Sequence, residues 1–426
     1  MVSESQMNEF TAWAKRRGVI FPSSEIYGGL GSSYDYGPVG VEMKNRLKTS
    51  WWRSMVHERQ DVVGLDSAII LNPAVWQASG HLDNFSDLMV EDLKTHKRYR
   101  VEDLDDPTKS PEGNPVGEAK QFNVMFKTFV GPVEDDASTA YLRPETCQGI
   151  FIDFKQILET SRQRVPFGIA QIGKSFRNEI TPGNLTFRTR EFEQMEMEFF
   201  VREEEANKWF DYWVEARFQW YLDLGIRKEN LRLFKHPKAK LAHYSKGTTD
   251  IEYKFPWGWG ELEGIANRGN FDLVQHQKNS GKDLSVFDEE TREKFVPWVI
   301  EPAGGVDRAL LAILLDAWKF FQKGRKEDGE PETVLEVAPT LAAYDAAVLP
   351  LVKKPELLKM SQKLVASLRA AGKHVFYDES GSIGRRYRRM DEIGTPICYT
   401  VDFESLDDKK VTARDRDSMK QTRVTL

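Results

Sequence analysis

Met43, Leu47, Trp51 and Met55 recur at every fourth position, and this stripe predicts a helix that buries one face. Between Phe167 and Val201 the apolar period changes to two. From Ile169 to Glu179, Ala170, Ile172 and Phe176 point one way, while Gln171, Gly173, Ser175, Arg177 and Glu179 point the other. From Arg190 to Val201, Met195, Met197 and Phe199 share one face, and Arg190, Phe192, Gln194, Glu196 and Glu198 share the opposite one. Two such runs around the turn-forming stretch TPGN predict an antiparallel strand pair with a long loop. ELEGIANRG reads as a further strand with Glu261 and Glu263 on one face. VIEPAGGVDRALLAILLDAW reads as a strand ending at Glu301, a tight turn at Gly304 and Gly305, and a helix apolar almost all round with Arg308 near its start.

Residues 83 to 120 are polar, carry loop chemistry and show no apolar period, as an insertion would. Near GRKEDGEPE, residues 324 to 332, charge combines with Gly and Pro, as in linkers. Beyond it the short apolar runs AAVLPLV, HVFYD and ICYTVDF alternate with helical stretches. In one of these, Leu357, Ser361, Leu364, Val365 and Leu368 share a face, and the alternation suggests a small α/β domain. The expected organisation is one domain over residues 1–323, with an insertion at about 83–140, and a second over 333–426.

Composition sets limits on this picture. With 426 residues, the chain is long enough for about two to three domains. Sixty Lys and Arg against 66 Asp and Glu leave a net charge of −6, so any nucleic-acid contact must rest on a local patch. The longest apolar run, Ala309 to Leu315, ends at Asp316, which rules out a membrane span. The start MVSESQMNEF lacks a secretory pattern, and two cysteines, Cys147 and Cys398, make neither a disulfide framework nor a Cys-rich zinc site. A cytoplasmic location is expected.

Several residues carry candidate chemistry. A polar strand face with Gly173 and Ser175 beside a Phe-flanked Arg177 suits a phosphate or carboxylate ligand, although a solvated sheet would alternate in the same way. Arg308 on a buried helix needs an anion, either a ligand or an internal carboxylate. Glu261 and Glu263 could hold Mg²⁺ beside such arginines or be solvated. GRRYRR places Arg385, Arg386, Arg388 and Arg389 around Tyr387, which suits either RNA or a solvated helix face. The seven histidines show no metal-ligand spacing, and His81 reads as structural or pocket-lining.

These segments resemble the three motifs of class II aminoacyl-tRNA synthetases, subclass IIa, and the whole chain resembles the homodimeric type of glycyl-tRNA synthetase. YDYGPVGVEMKNRLKTSWW with LNPAVWQASGH resembles motif 1, a long helix and strand with Pro73 at the dimer interface. SFRNEITPGNLTFRTREFEQMEMEFF resembles motif 2, with Phe176, Arg177, Asn178 and Glu179 as its signature, and EPAGGVDRALLAIL resembles motif 3. YLRPETCQG resembles the amino-acid-binding loop, and AVLPLV with SGSIGRRYRRMDEIGTP resembles the anticodon-binding domain. KMSQK, close to a class I signature, lies within an amphipathic helix and lacks the partner tetrad that class I enzymes need.

The resemblance implies an α+β catalytic domain built on a six-stranded antiparallel class II sheet, plus a C-terminal α/β anticodon-binding domain. It implies that glycine and ATP condense to glycyl-adenylate with Mg²⁺, and that the glycyl group passes to the 3′ end of tRNA(Gly). By the same resemblance Arg177 and Arg308 would be catalytic. ATP would be held by Arg177, Glu179, Arg188, Arg190, Phe192, Glu261 and Arg308, with Phe192 and Arg308 sandwiching adenine and Glu261 also at the metal. Glycine would be held by Glu145, Arg177, Glu196, Glu301 and Ala303, and tRNA by Arg385, Arg386, Arg388 and Arg389. A catalytically silent paralogue that binds RNA or assists a polymerase would lose the ATP arginines, and a relative charging another small amino acid would alter the glutamates; both sets are present. Two departures stand out. Ala303 replaces the family's usual serine, which would weaken glycine affinity, and Cys147 replaces the usual alanine, a swap expected to be neutral.

Overall fold

The computed structural model describes residues 2–101, 104–179, 183–237, 245–289, 291–326 and 329–425. Thr181 and Pro182 of the TPGN turn lie outside them, as do two residues of the 324–332 stretch.

The predicted stripe forms the helix Pro38–Trp52 and the π-turn Arg53–His57 that continues it. Proline at its first position lacks only an N–H that would be unpaired there anyway. A strict four-residue repeat outruns the α-helical period by about 40° per step, and the wider π-turn takes up that drift. Met43, Leu47, Trp51 and Met55 are all buried as a result.

A seven-stranded sheet fills the centre. Its order is Leu231–Lys235, Gly247–Phe255, Gly258–Gly269, Trp298–Gly305, Glu191–Val201, Phe167–Phe176 and Val62–Gly64. The first six run antiparallel, as expected; Val62–Gly64 adds a parallel edge strand that the sequence reading missed. Strands Phe167–Phe176 and Glu191–Val201 pair in full register, Phe192 opposite Ser175 and Glu196 opposite Gln171. Met195, Met197 and Phe199 pack into the main core, and the opposite face carries Phe192, Gln194 and Glu196 to a cavity. The helix Val306–Ala317 is buried throughout except at Arg308.

Two expectations about small residues are corrected. A side-chain carbon on Gly173 would lie 2.2 Å from Arg143 Nη2, so the free space there admits a buried arginine rather than a ligand. Gly304 and Gly305 end a strand and make no turn.

The polar stretch after residue 83 is more ordered than its composition suggests. Ser86–Glu91 pairs with Arg98–Arg100 and with Lys120–Asn123 in a three-stranded sheet. Asp92 is its polar hub, accepting from the N–H groups of Lys94 and Thr95 and from Asn114 Nδ2 at 2.8 to 3.0 Å. The buried apolar residues of this sheet, Met89 and Val90, are adjacent in one short strand, so no apolar period shows in the sequence.

The described residues of the stretch read as a linker, 324–326 and 329–332, join two paired strands rather than two separate units. Trp318–Phe321 pairs with Glu332–Leu335, and Arg325 between them binds Glu332, Asp391 and the carbonyl of Arg416. Charge with Gly and Pro marks tight turns as well as tethers. The C-terminal five-stranded sheet has parallel strands Ala346–Pro350, Val375–Tyr377 and Ile397–Val401, then antiparallel Val411–Asp415 and Gln421–Val424. Leu357, Ser361, Leu364 and Val365 of helix Pro355–Ala370 are buried together, so the KMSQK serine belongs to packing.

Candidate active site

A cavity of about 610 Å³ opens on the polar face of the central sheet, within the range typical of small-molecule sites. Glu145, Glu196, Glu301 and Ala303 line it, as do Arg177, Glu179, Arg188, Phe192, Glu261 and Arg308. These come from strands Glu191–Val201, Gly258–Gly269 and Trp298–Gly305, the loop between strands Phe167–Phe176 and Glu191–Val201, the start of a helix and the loop before Cys147, so pleat and loops together converge what the sequence keeps apart.

One part of the lining is acidic and buried. Glu145 accepts from Cys147 Sγ at 2.9 Å and Gln148 Nε2 at 3.1 Å, and pairs with His81 Nε2 at 3.1 Å. Burial raises its carboxyl, yet His81 and Arg268 outweigh this and hold it well below the usual range. Glu196 accepts from the Thr146 N–H at 2.8 Å and from Gln194 Nε2 at 2.8 Å. Burial and then Glu145 push Glu196 upward. Glu301 takes Arg268 Nη1 on both oxygens at 3.0 Å; burial first, with Glu196 and Glu145 adding, pushes it up to about 8.

Arg268, Asp272, Gln148 and His276, which help hold this wall, carry no candidate role in the sequence. Arg268 also binds Asp272, Asp272 accepts from Gln148, and His276 meets Gln148 Oε1 at 2.8 Å. His81 Nδ1 is 2.7 Å from Ser79 Oγ, which orients the ring against Glu145. His81, read as structural or pocket-lining, is structural here: it holds Glu145 and does not itself line the cavity. Cys147 is buried, and its thiol donates a hydrogen bond to Glu145. Arg268 with Asp272 four positions on was the one legible signal.

Cationic groups occupy another part of the lining. The Arg177 guanidinium lies between the rings of Phe85 and Phe192, 5.3 and 5.4 Å from their centroids, and its Nε donates to the Pro144 carbonyl. Arg308 stacks on Phe187 at 4.5 Å and donates to the carbonyls of Phe187 and Glu261 at 3.2 and 2.9 Å. Phe187 is thus the ring it packs on, and Phe192 lines the same cavity. These flat contacts leave guanidinium edges toward the cavity, an arrangement that binds phosphate or carboxylate.

Three expectations change. Arg190 does not line the cavity: it donates to the carbonyls of Glu179 and Gly31, bracing the motif 2 strand against the N-terminal loop. Glu261 and Glu263 do not share a face. A bulge lets Leu262 fall between the pairs Glu252–Glu261 and Ile251–Glu263, so Glu263 turns inward to a buried ion pair with Arg217 while Glu261 faces the cavity. Arg386, grouped with an RNA-facing patch, is buried and donates to the carbonyls of Pro350, Leu351 and Asp378. Tyr387 is likewise engaged, against Thr400 and under Arg414. Arg388 and Arg389 are partly exposed and pair with Glu330 and Asp378, and Arg385 is exposed.

Comparison with known proteins gives this geometry a context. Residues 129–317 match the tRNA synthetase class II core domain (G, H, P, S and T), and residues 345–426 match an anticodon binding domain. The glycine–tRNA ligase of Bifidobacterium longum is 53% identical over 448 residues, spanning 100% of this chain and 91% of the relative. That of Thermobifida fusca is 52% identical over 449 residues, spanning 100% and 97%. The Streptomyces coelicolor protein of the same name is 52% identical over 447 residues, with the same coverage.

Proposed function

The chain belongs to the glycine–tRNA ligase family of class II tRNA synthetases, and from that premise we propose that it activates glycine with ATP in this cavity and transfers it to tRNA(Gly). The observation that carries the reading is the joining, in one cavity, of the buried Glu196 and Glu301 and the partly buried Glu145 with the stacked arginines Arg177 and Arg308.

Glycine's carboxylate attacks the α-phosphorus of ATP, the bond to pyrophosphate breaks, and glycyl-adenylate forms. Negative charge grows on the α-phosphate oxygens in that step, and Arg177 stabilises it. Arg308 and Arg188 hold the remaining phosphates, Glu179 accepts from the adenine amino group, and Phe192 packs against the ring. Glu145, Glu196 and Glu301 receive the ammonium group. Glycine offers no side chain to grasp, so selection works by exclusion: the carboxylates and their supports occupy the space a methyl group would need. The tRNA 3′ hydroxyl then displaces AMP from the adenylate, taking the glycyl group.

Mg²⁺ fits the carboxylates at the Arg308 side. Glu261 is half exposed and Asp250 faces it closely enough for its carboxyl to be pushed up to about 6, by burial first and then by Glu261. One or two such carboxylates with triphosphate oxygens suit this ion. Glu261 and Asp250 would hold the ion, and it would supply positive charge against the triphosphate. Among the described residues, the one converging group of three potential ligands is Cys147, Glu198 and Glu301, whose thiol suits Mg²⁺ poorly.

For the remainder of the reading, residues 1–323 form the catalytic domain and 333–426 the anticodon-binding domain. Arg385, Arg388 and Arg389 face tRNA, the protein is a homodimer, and it works in the cytoplasm. No helix among the described residues is long and apolar enough to cross a membrane. Pyrophosphate exchange into ATP, run with each of the twenty amino acids, tests the chemistry. Exchange with glycine alone supports the reading; exchange with alanine or serine makes Ala303 a change of specificity, and silence with all twenty overturns catalysis.

A further inference from the structure

Glu198 lies on strand Glu191–Val201, on the same face as Gln194 and Glu196. It is fully buried, and neither carboxyl oxygen has a hydrogen-bond partner. One of its oxygens, one of Glu301 and the sulfur of Cys147 lie within 4.8 Å of one another. The charged groups around it are Glu301, Arg268, Glu196 and Asp272. The guanidinium of Arg268 is turned to Glu301 and Asp272. The Cys147 thiol is turned to Glu145.

An ionised carboxylate in that position would be buried, unpaired and beside a second carboxyl group, an arrangement that costs several kcal/mol. Two neighbouring carboxyls do not readily ionise together, so when the ammonium ligand leaves Glu301 ionised, Glu198 keeps its proton. The proton belongs on Glu198, because Glu301 has the Arg268 contact on both oxygens and Glu198 has none. A neutral acid carries a hydroxyl to donate, and a carboxylate that already takes one arginine still has lone pairs free to accept it. Burial, then the negative charge of Glu301, acts in the same direction on Glu198.

We propose that Glu198 is a proton-bearing positioning residue: a neutral carboxylic acid behind the cavity wall that donates to Glu301 and fixes which Glu301 oxygen faces the substrate's ammonium group. This rests on the reading of the cavity as a glycine-activating site. Glu198 touches no substrate, and it acts through Glu301.

The test uses the full chain with Glu198→Gln, which keeps shape and a donor without charge, and Glu198→Leu, which keeps bulk alone. In pyrophosphate exchange, Glu198→Gln should keep its KM for glycine within about threefold of wild type, whereas Glu198→Leu should raise it by about tenfold or more with KM for ATP nearly unchanged. The infrared difference spectrum between the free wild-type protein and Glu198→Gln should show the carbonyl band of a protonated carboxylic acid, present only in wild type. Equal loss in both variants, or no such band, would mean that Glu198 is ionised and binds a cation itself, and the proposal fails. Wild-type behaviour of Glu198→Leu would also overturn it. If the leucine variant does not fold, the glutamine variant and the spectrum decide. If the wild-type protein itself shows no exchange with glycine, the glycine reading fails, while the band still reports where the proton sits.

Discussion

A single nitrogen of Arg268, Nη1, donates to both carboxylate oxygens of Glu301 at 3.0 Å each. Its Nε and Nη2 meanwhile reach the two oxygens of Asp272 at 2.8 and 2.9 Å. One planar group thereby joins strand Gly258–Gly269 to strand Trp298–Gly305 and helix Phe271–Ser280. Lysine offers one point of charge and cannot span both partners. Arg268→Lys should therefore lower kcat/KM for glycine by about a hundredfold, near 3 kcal/mol for a broken buried pair. KM for ATP should stay close to normal, and pyrophosphate exchange at varied glycine and ATP measures both.

The raised carboxyl of Glu301 gives glycine binding a pH dependence. With the group pushed up to about 8, the empty site holds a proton there at neutral pH, and an ammonium ligand prefers the ionised form. Binding below pH 8 must expel that proton. KM for glycine should fall about tenfold per pH unit from 6 towards 8 and then level off, by the linkage of one proton to binding. A flat profile across that window would show Glu301 ionised throughout.

Arg308 joins three contacts that only a guanidinium can make together: the Phe187 face, the Phe187 carbonyl and the Glu261 carbonyl. Arg308→Lys keeps the charge and loses the stacking and the fork. KM for ATP should rise about tenfold, a change of roughly 1.4 kcal/mol, while KM for glycine moves little. Exchange kinetics at saturating glycine would read this out.

Helix Ile383–Glu392 separates two kinds of arginine. Arg385→Glu and Arg388→Glu change exposed groups and should weaken tRNA charging several-fold, most visibly at low salt, with glycine-dependent exchange nearly intact. Arg386→Glu buries an unmatched carboxylate among carbonyls and should destabilise the protein by about 3 kcal/mol or more. Thermal unfolding beside filter binding of tRNA would tell the two classes apart.

Period-two alternation made much of the site legible. Phe192 and Glu196 fall on one strand face, and both reach the cavity. The same rule failed at Glu261 and Glu263, because one bulged residue between them reverses the parity and nothing in the local sequence announces it. Arg386 was misjudged as one of a run of like charges, although its place one turn before Met390 puts it on the inward face. The partners of Arg268 lie on separate elements, and only the folded sheet brings Glu301 to it. Short strands such as Ser86–Glu91, where the buried Met89 and Val90 are adjacent, leave no hydrophobic period to read.

The principal hydrophobic core runs without a break from Phe10, Trp13 and Leu47, through the helix that bears Arg308, to Leu335, Ala347, Met390 and Cys398. Polar contacts reinforce the crossing: Arg46 pairs with Asp345 at 3.1 Å, and Trp13 Nε1 donates to the Glu392 carbonyl at 3.1 Å. Heat should then dissolve both sheets in a single calorimetric endotherm, with no separate melting of the C-terminal portion. A substitution at Met390 would accordingly lower the temperature at which the distant cavity is lost, and cooperativity, rather than proximity, would make a C-terminal residue matter to the pocket's survival.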